Sequence, residues 1–546
     1  MGRPPKVVDD MDRTSRRRHP GSHVWVAMLA ALVLFLTACG NDDETAIGDE
    51  PDTTVNGNDG APSGDLDRSA VLRWGELKDI TSWDGHRASV SQDNQILFTT
   101  YDRLVHQDAE GELVPGLATD WNFADDGSYL ELTLREGVTF HDGEPFDAEA
   151  VKANIERGQS LEDSAVQGEL SPIEEVEVVD DHTVRLHLDT PAGNLPNVLT
   201  DRPGIMISPA AFDNPDLDTN PVGAGMYRVT DYRPGASITF EAYEDYWDDD
   251  AQLLAGIEYL ILPDETTRMN ALRSGQIDAT VLTPGQTEEA ESAGFAVQAS
   301  ATLEVHYVVI NHGKAPLDQV EVRQAINHAI DRQALVDGVL FGNGQPAWQM
   351  FPEGDAAFNP DVVDYYPYDP DRARELLAEA GVAEGEITLE LMDLAGTPLV
   401  NQANQVLQAQ LGEVGINVEI VPVERTEVVE TFYQNQVGDL LQGPWGGRPS
   451  AEQVFALIYQ SEGFLNPGGH LFNEEFEEAF DEARRATTPE EREEALQAAT
   501  LAVTDQANSA PLFFPHTPLV HVERVVGLEK YVSGKIEFRG VGMRPE

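Results

Sequence analysis

The chain has 546 residues, 97 acidic against 35 basic, for a formal net charge of −62. So strong a negative field excludes nucleic acid and anionic lipid surfaces as partners, while 41% hydrophobic residues exclude a disordered acidic tail. A single cysteine excludes an intrachain disulfide, and the length calls for two or more lobes held by packing alone.

Taken in chain order, the first signal is Arg16, Arg17 and Arg18, then an apolar run over residues 24–36, then Thr37, Ala38 and Cys39. Basic stretch, short apolar core and small residues before a cut are the order of a secretory signal. The run falls short of the ~20 residues that span a bilayer. Leu36 at −3, Ala38 at −1 and Cys39 at +1 resemble the lipobox of bacterial lipoproteins. That resemblance implies that residues 1–38 are a signal peptide, that Cys39 is lipidated, and that the protein sits on the outer face of the cell membrane in a periplasmic-type space. Residues 1–38 carry six of the basic and three of the acidic residues, so the chain from Cys39 is more acidic still, at −65. Residues 39–69 hold almost no large apolar side chains and are expected to be a disordered acidic tether.

Regular structure is expected from Val71-Leu72-Arg73-Trp74 onward. Leu130, Leu132 and Leu134 alternate with polar residues, the period of a half-buried strand, and residues 176–179 and 183–188 read as two more strands turned by Asp180-Asp181. Asp369 before Pro370 marks a helix start and Gly381 its end. A strand at 387–391, a helix at 399–414 and a strand at 418–421 follow, the order of a parallel α/β unit. Acid-rich helices at 474–485 and 489–508 precede an apolar strand, Pro511-Leu512-Phe513-Phe514. The chain reads as α/β and multi-lobed.

Chemistry-bearing motifs are scarce. There is no Gly-x-Ser-x-Gly elbow, no His-Glu-x-x-His and no phosphate loop. Gly223-Ala224-Gly225 lacks the third glycine of a dinucleotide site. His306 with His312, and His182 with His187, do not have the spacing of paired metal ligands. No cofactor or metal is expected and the protein is read as a non-enzyme, a lipid-anchored hydrolase being the remote alternative.

Five motifs in order then resemble one family. Pro115-Gly116-Leu117-Ala118 and Asp120-Trp121 lead through Asp125-Asp126-Gly127 to Leu134-Arg135-Glu136-Gly137-Val138-Thr139-Phe140-His141-Asp142-Gly143. Asn220-Pro221-Val222-Gly223-Ala224-Gly225-Met226-Tyr227 with Tyr246-Trp247, then residues 323–332, then the helix over 369–381, complete the pattern. The chain resembles the family 5 extracellular solute-binding proteins, the dipeptide and oligopeptide receptors of ABC importers. Within these motifs Gly137, Gly143, Gly223 and Gly225 are expected to supply turns, Arg323 and Arg332 to pair with surface acids, and His141 to bond backbone in a turn.

The resemblance implies a two-lobed periplasmic-binding-protein-like (type II) fold with an extra domain and discontinuous lobes joined by hinge strands. Mapped here, lobe I combines 70–112, 206–304 and 512–546, the extra domain fills 113–205, and lobe II spans 305–511. The hinge is expected at the strand over 305–311 with its return near 511–515. The implied function is capture of a solute, a peptide first, in a closing cleft and delivery to a permease and ATPase complex, by a monomer touching the membrane only through its lipid. An oligosaccharide, chelate or other small anion is the alternative solute. Trp83 and His86 in the early loop, Asn311 at the end of the hinge strand, and Trp445 and Arg448 in the second-lobe loop are the candidate substrate-binding residues. In peptide receptors of the family that loop carries an aspartate for the peptide amine. Here Gly446, Gly447 and Arg448 follow the tryptophan instead.

Overall fold

Three sheets organise the chain. The computed structural model describes residues 65–88, 93–189, 192–217, 219–395, 397–424, 427–448, 450–461, 463, 465–467, 473–486 and 488–546. The signal, Cys39 and nearly all of the tether lie outside them. No helix among the described residues is long and apolar enough to cross a membrane.

A seven-stranded sheet is assembled from distant parts of the sequence. Val71–Glu76 runs parallel to Gly256–Ile261 on one side and Ala279–Val281 on the other. Ser237–Ala242 and Tyr227–Arg233 extend it at one edge, and Leu519–His521 and Ala296–Gln298 at the other. A six-stranded sheet has the order Gly344–Pro346, Ser509–Pro515, Val305–Ile310, Leu440–Trp445, Ile387–Leu394, Ile416–Val423. Its central strand Val305–Ile310 is buried at every position, because both faces are covered. Tyr307 and Val309 join the core under helices Glu474–Arg485 and Pro489–Asp505. Val308 and Ile310 join the opposite one, under Val320–His328, Arg332–Val339 and Pro370–Glu379. A four-stranded antiparallel sheet spans Ala118–Phe123 to Thr183–Leu188, with its own core against helix Ala148–Ser160. Asp147 caps that helix through the Ala150 N–H.

The architecture is therefore two-lobed α/β with an extra small sheet and a discontinuous first lobe. Strand Ser509–Pro515 lies wholly in the six-stranded sheet, so the chain passes between lobes at 299–304 and returns at 516–518, just outside the strand pair expected as hinge. Lys530 ties the two crossings together: its Nζ donates to the Ser300 and Thr517 carbonyls, each at 2.6 Å.

Two expectations are corrected by packing. Arg323 and Arg332 are not on the surface. Both are buried and donate to backbone carbonyls, Arg323 to Gln506 and Leu317, Arg332 to Ala347 and Pro511. Stapling chain ends with five fixed donors suits arginine better than an exposed ion pair would. Among the glycines, Gly137 and Gly143 do hold positive φ, 75° and 87°. Gly223 and Gly225 do not; a Cβ there would strike the Thr100 carbonyl oxygen at 2.3 Å and 2.7 Å, so close approach and not a turn requires them. His141 bonds the Gly225 carbonyl through Nε2 at 2.9 Å.

Candidate functional site

Strand Leu440–Trp445 delivers the loop of Gly446, Gly447 and Arg448 to the gap between the lobes. A cavity of about 730 Å³ lies there. One wall comes from residues 165–202 beside the small sheet, the other from 448–492 of the second lobe. A smaller hollow of about 130 Å³ continues it toward the crossings, lined by Glu76, Asp201 and Lys535 opposite Gly446, Gly447 and Arg448. Arg448 lines both. The walls touch across the gap: Gln453 Nε2 donates to Glu169 Oε1 at 2.8 Å, and Asn194 Nδ2 to Ser450 Oγ at 3.2 Å.

Several charges lining the gap are paired, whereas Glu76 and Glu169 meet only neutral donors. Glu452 holds Arg492 in a two-pronged pair at 2.5 Å and 2.7 Å and accepts from Ser450 Oγ at 2.6 Å. Asp201 meets Lys535 at 2.8 Å and Asn94 at 2.7 Å, and lies 3.9 Å from Arg202. Arg484 pairs with Asp481. Glu76 accepts from Trp74 Nε1 at 2.9 Å and Gln95 Nε2 at 3.0 Å, and burial pushes its carboxyl above the usual range. Burial, then nearby Asp201, also raises Glu169. Arg448 differs. Among the described residues it makes no ion pair, and its guanidinium stands 5.7 Å from the centre of the Trp445 ring. This half-buried guanidinium lies beside an indole and, among the described residues, makes no hydrogen bond or ion pair, though its charge acts on Glu169.

The loop owes its position to Gly447. At φ 71° it lies against the first crossing, and a Cβ would come within 2.2 Å of Leu303 Cβ and 2.8 Å of the Leu303 carbonyl oxygen. Gly447→Ala is therefore expected to lower stability by about 2–4 kcal/mol, combining left-handed strain with overpacking. It should also displace Arg448. Urea denaturation checks this, and an unchanged midpoint would refute it.

Of the five expected solute contacts, the structure brings only Trp445 and Arg448 to a cavity. Trp83 is 1% exposed and packs edge-on to Tyr232 and Phe240. His86 is fully buried, its Nδ1 accepting from Arg157 at 2.8 Å. Asn311, also fully buried, donates to the Gly438 carbonyl at 3.1 Å. All three are buried against partners inside the fold, Trp83 against aromatic rings, His86 against Arg157 and Asn311 against backbone. Asn194, Glu169 and Arg202 line the gap without having been expected there. No local signal marks them, since each is brought in by packing of remote segments.

Comparison with known proteins agrees with this geometry. The family model described as bacterial extracellular solute-binding proteins, family 5 middle, matches residues 112–466. The glutathione-binding protein GsiB of Pectobacterium atrosepticum is 31% identical over 368 residues, covering 65% of this chain and 70% of the relative. The heme-binding protein A of Haemophilus influenzae is 28% identical over 472 residues, covering 80% and 84%. In fold, the chain is similar to the periplasmic binding protein DppA from Helicobacter pylori in complex with a peptide, with TM-score 0.75 at 23% identity over 87% of this chain and 98% of that one.

Proposed function

The chain belongs to the bacterial extracellular solute-binding proteins of family 5, and from that premise we propose that it captures a carboxylate-bearing peptide between its lobes for an ABC importer. The single observation carrying this reading is Arg448, the cation of the inter-lobe cavity left without a carboxylate partner among the described residues. The cavity, about 730 Å³, has the size of pockets that enclose small ligands, roughly 300–1,000 Å³. Glutathione, heme and peptides, the ligands for which similar proteins are named, all carry carboxylates. Solute contacts to both walls would favour the closed form, which the permease recognises.

Among the described residues the gap offers a peptide's amine little: Glu169 and Glu76 make no ion pair, but burial raises both carboxyls and so disfavours their charged forms. Glu452 is committed to Arg492. Asp439, before the far end of strand Leu440–Trp445, is committed to Lys314 at 3.1 Å and to the Glu390 N–H at 2.8 Å. This favours a second reading, a non-peptide small anion such as a chelate or acidic oligosaccharide. Mass spectrometry of the small molecule that co-purifies with native protein decides between them.

Burying an ammonium without a counter-charge is costly. Free-amine di- and tripeptides are therefore expected to bind no better than their N-acetylated forms. Arg448→Ala should weaken a carboxylate solute by about 1.5–3 kcal/mol, the worth of a charged hydrogen bond, and a neutral one far less. Calorimetry with matched pairs reads both effects. A tenfold preference for the free amine would restore an ordinary amine anchor.

The mature protein is further proposed to be a monomer held at the outer membrane face by lipid on Cys39. Cys39→Ser removes the thiol that carries the diacylglycerol. The variant is expected to remain unprocessed or to appear in the medium, and a variant still lipid-labelled and membrane-bound would overturn the anchor.

A further inference from the structure

Behind Trp445, inside the second lobe, is a separate hollow of about 240 Å³. Its walls are Tyr307, Val309, Leu394, Leu441, Tyr433 and Trp445, with Val428 and Leu465 at less buried positions. Leu394 and Trp445 are the last residues of strands Ile387–Leu394 and Leu440–Trp445, which run parallel. The hollow thus sits at the carboxyl ends of parallel strands, where open α/β sheets place their ligands. It exists because residue 443 is glycine. Gly443 pairs with Tyr307 across the sheet, and a Cβ there would press Leu394 Cδ1 at 3.2 Å. Among the described residues no charged side chain lines it, and burial pushes the phenols of Tyr307 and Tyr433 up, so both stay neutral. The indole N–H of Trp445 is buried without a hydrogen-bond partner among the described residues.

An apolar space this close to an uncommitted cation selects for a particular kind of molecule. The hollow, about 240 Å³, is open on one side, so a side group can enter it without the lobe unfolding. A dry apolar cavity of about 150 Å³ already accepts benzene. Trp445 contributes to the wall and also carries Arg448 over its ring. We propose that the hollow is a subsite for an aromatic side group of the solute, so that the transported molecule presents a carboxylate to Arg448 and a ring behind Trp445. This rests on the reading of the 445–448 loop as the solute-facing loop, and it narrows the solute from any small carboxylate to an aryl-bearing one.

The probes are N-acetylphenylalanine and N-acetylalanine, which share the carboxylate and differ by one phenyl ring, titrated against the full chain by calorimetry. The phenyl compound should bind at least tenfold more tightly. Val428→Phe, which fills the hollow from its rim, should abolish that preference while leaving N-acetylalanine within twofold; Leu465→Phe serves where the first variant melts early. Arg448→Ala should weaken both acids alike. Equal affinities in the unaltered protein, or a preference that survives both filling variants, overturns the subsite and leaves the carboxylate anchor standing. Failure of both acids to bind overturns the anchor and the subsite together.

Discussion

Acidification from pH 6.5 to 4 is expected to remove several kcal/mol of folding stability, at about 1.36 kcal/mol per unit of pKa displacement. Three imidazoles are folded where a proton is not tolerated. Burial, then the Arg157 guanidinium, lowers His86 to about 4. Burial, with Arg228 beyond, lowers His141 to about 4. Burial, then Arg323, lowers His312 to about 4. An unfolded histidine takes its proton near pH 6.5, whereas these wait until about 4. Between the two the unfolded chain binds more protons, so stability falls as pH drops, by about 3 kcal/mol for each residue. Asp355 works against them, as do Glu76 and Glu169, whose carboxyls burial also raises. Burial raises the Asp355 carboxyl to about 6, so the folded chain protonates first as pH falls from 6 toward 3.8 and regains about 3 kcal/mol. Urea midpoints between pH 7 and 4 test the balance, in about 0.5 M salt so that the large net charge is screened. A midpoint that is flat or rises over this range would contradict it.

Asp102→Ala is the substitution expected to cost most, about 3–5 kcal/mol, because it strands several buried donors at once. The Asp102 carboxylate accepts from Trp247 Nε1 at 2.8 Å, Tyr246 Oη at 3.1 Å and the Arg103 N–H at 2.9 Å, and it pairs with His106 Nε2. Burial alone would raise its pKa, yet His106 and Arg539 hold it well below the ordinary carboxylate range. Arg539 also reaches Asp248 at 2.5 Å and Tyr246 Oη at 2.6 Å, so one carboxylate organises a cluster reaching from residues 102–106 through 246–248 to Arg539. Asp102→Asn keeps the shape and some acceptor capacity and should cost less. Denaturation at pH 7 of both variants separates charge from shape. A loss below about 1 kcal/mol for the alanine would mean that solvent satisfies the stranded groups.

This cluster explains one motif that was legible without a reason. Tyr246-Trp247 stands out in the sequence as part of a family pattern, and only the fold shows that both residues donate to Asp102, 144 and 145 positions earlier. The cleft divides the same way. Trp445 and Arg448 lie in one short loop that reaches cavities, whereas Trp83, His86 and Asn311 are buried, because loop position does not say which way a side chain turns.

What the sequence determined by itself is what acts over a few residues. Asp369 accepts from the Arg372 N–H and starts helix Pro370–Glu379, and Gly381 ends it at φ 78°. The alternation of Leu130, Leu132 and Leu134 makes strand Tyr129–Leu134 bury one face. The order over 387–423 gives two parallel strands joined by helix Pro398–Glu413. Caps, turns and periodicity are local energies, readable in the chain as written. Only the tertiary structure decided which charges are free. Glu452 meets Arg492 across 40 positions, and Asp201 meets Lys535 across 334. Arg448 makes no ion pair among the described residues because those pairs form elsewhere. In a chain with 97 acids, which carboxylate a cation meets depends on the folded distance between them, since ion pairing acts over a few ångströms of space whatever the separation along the chain.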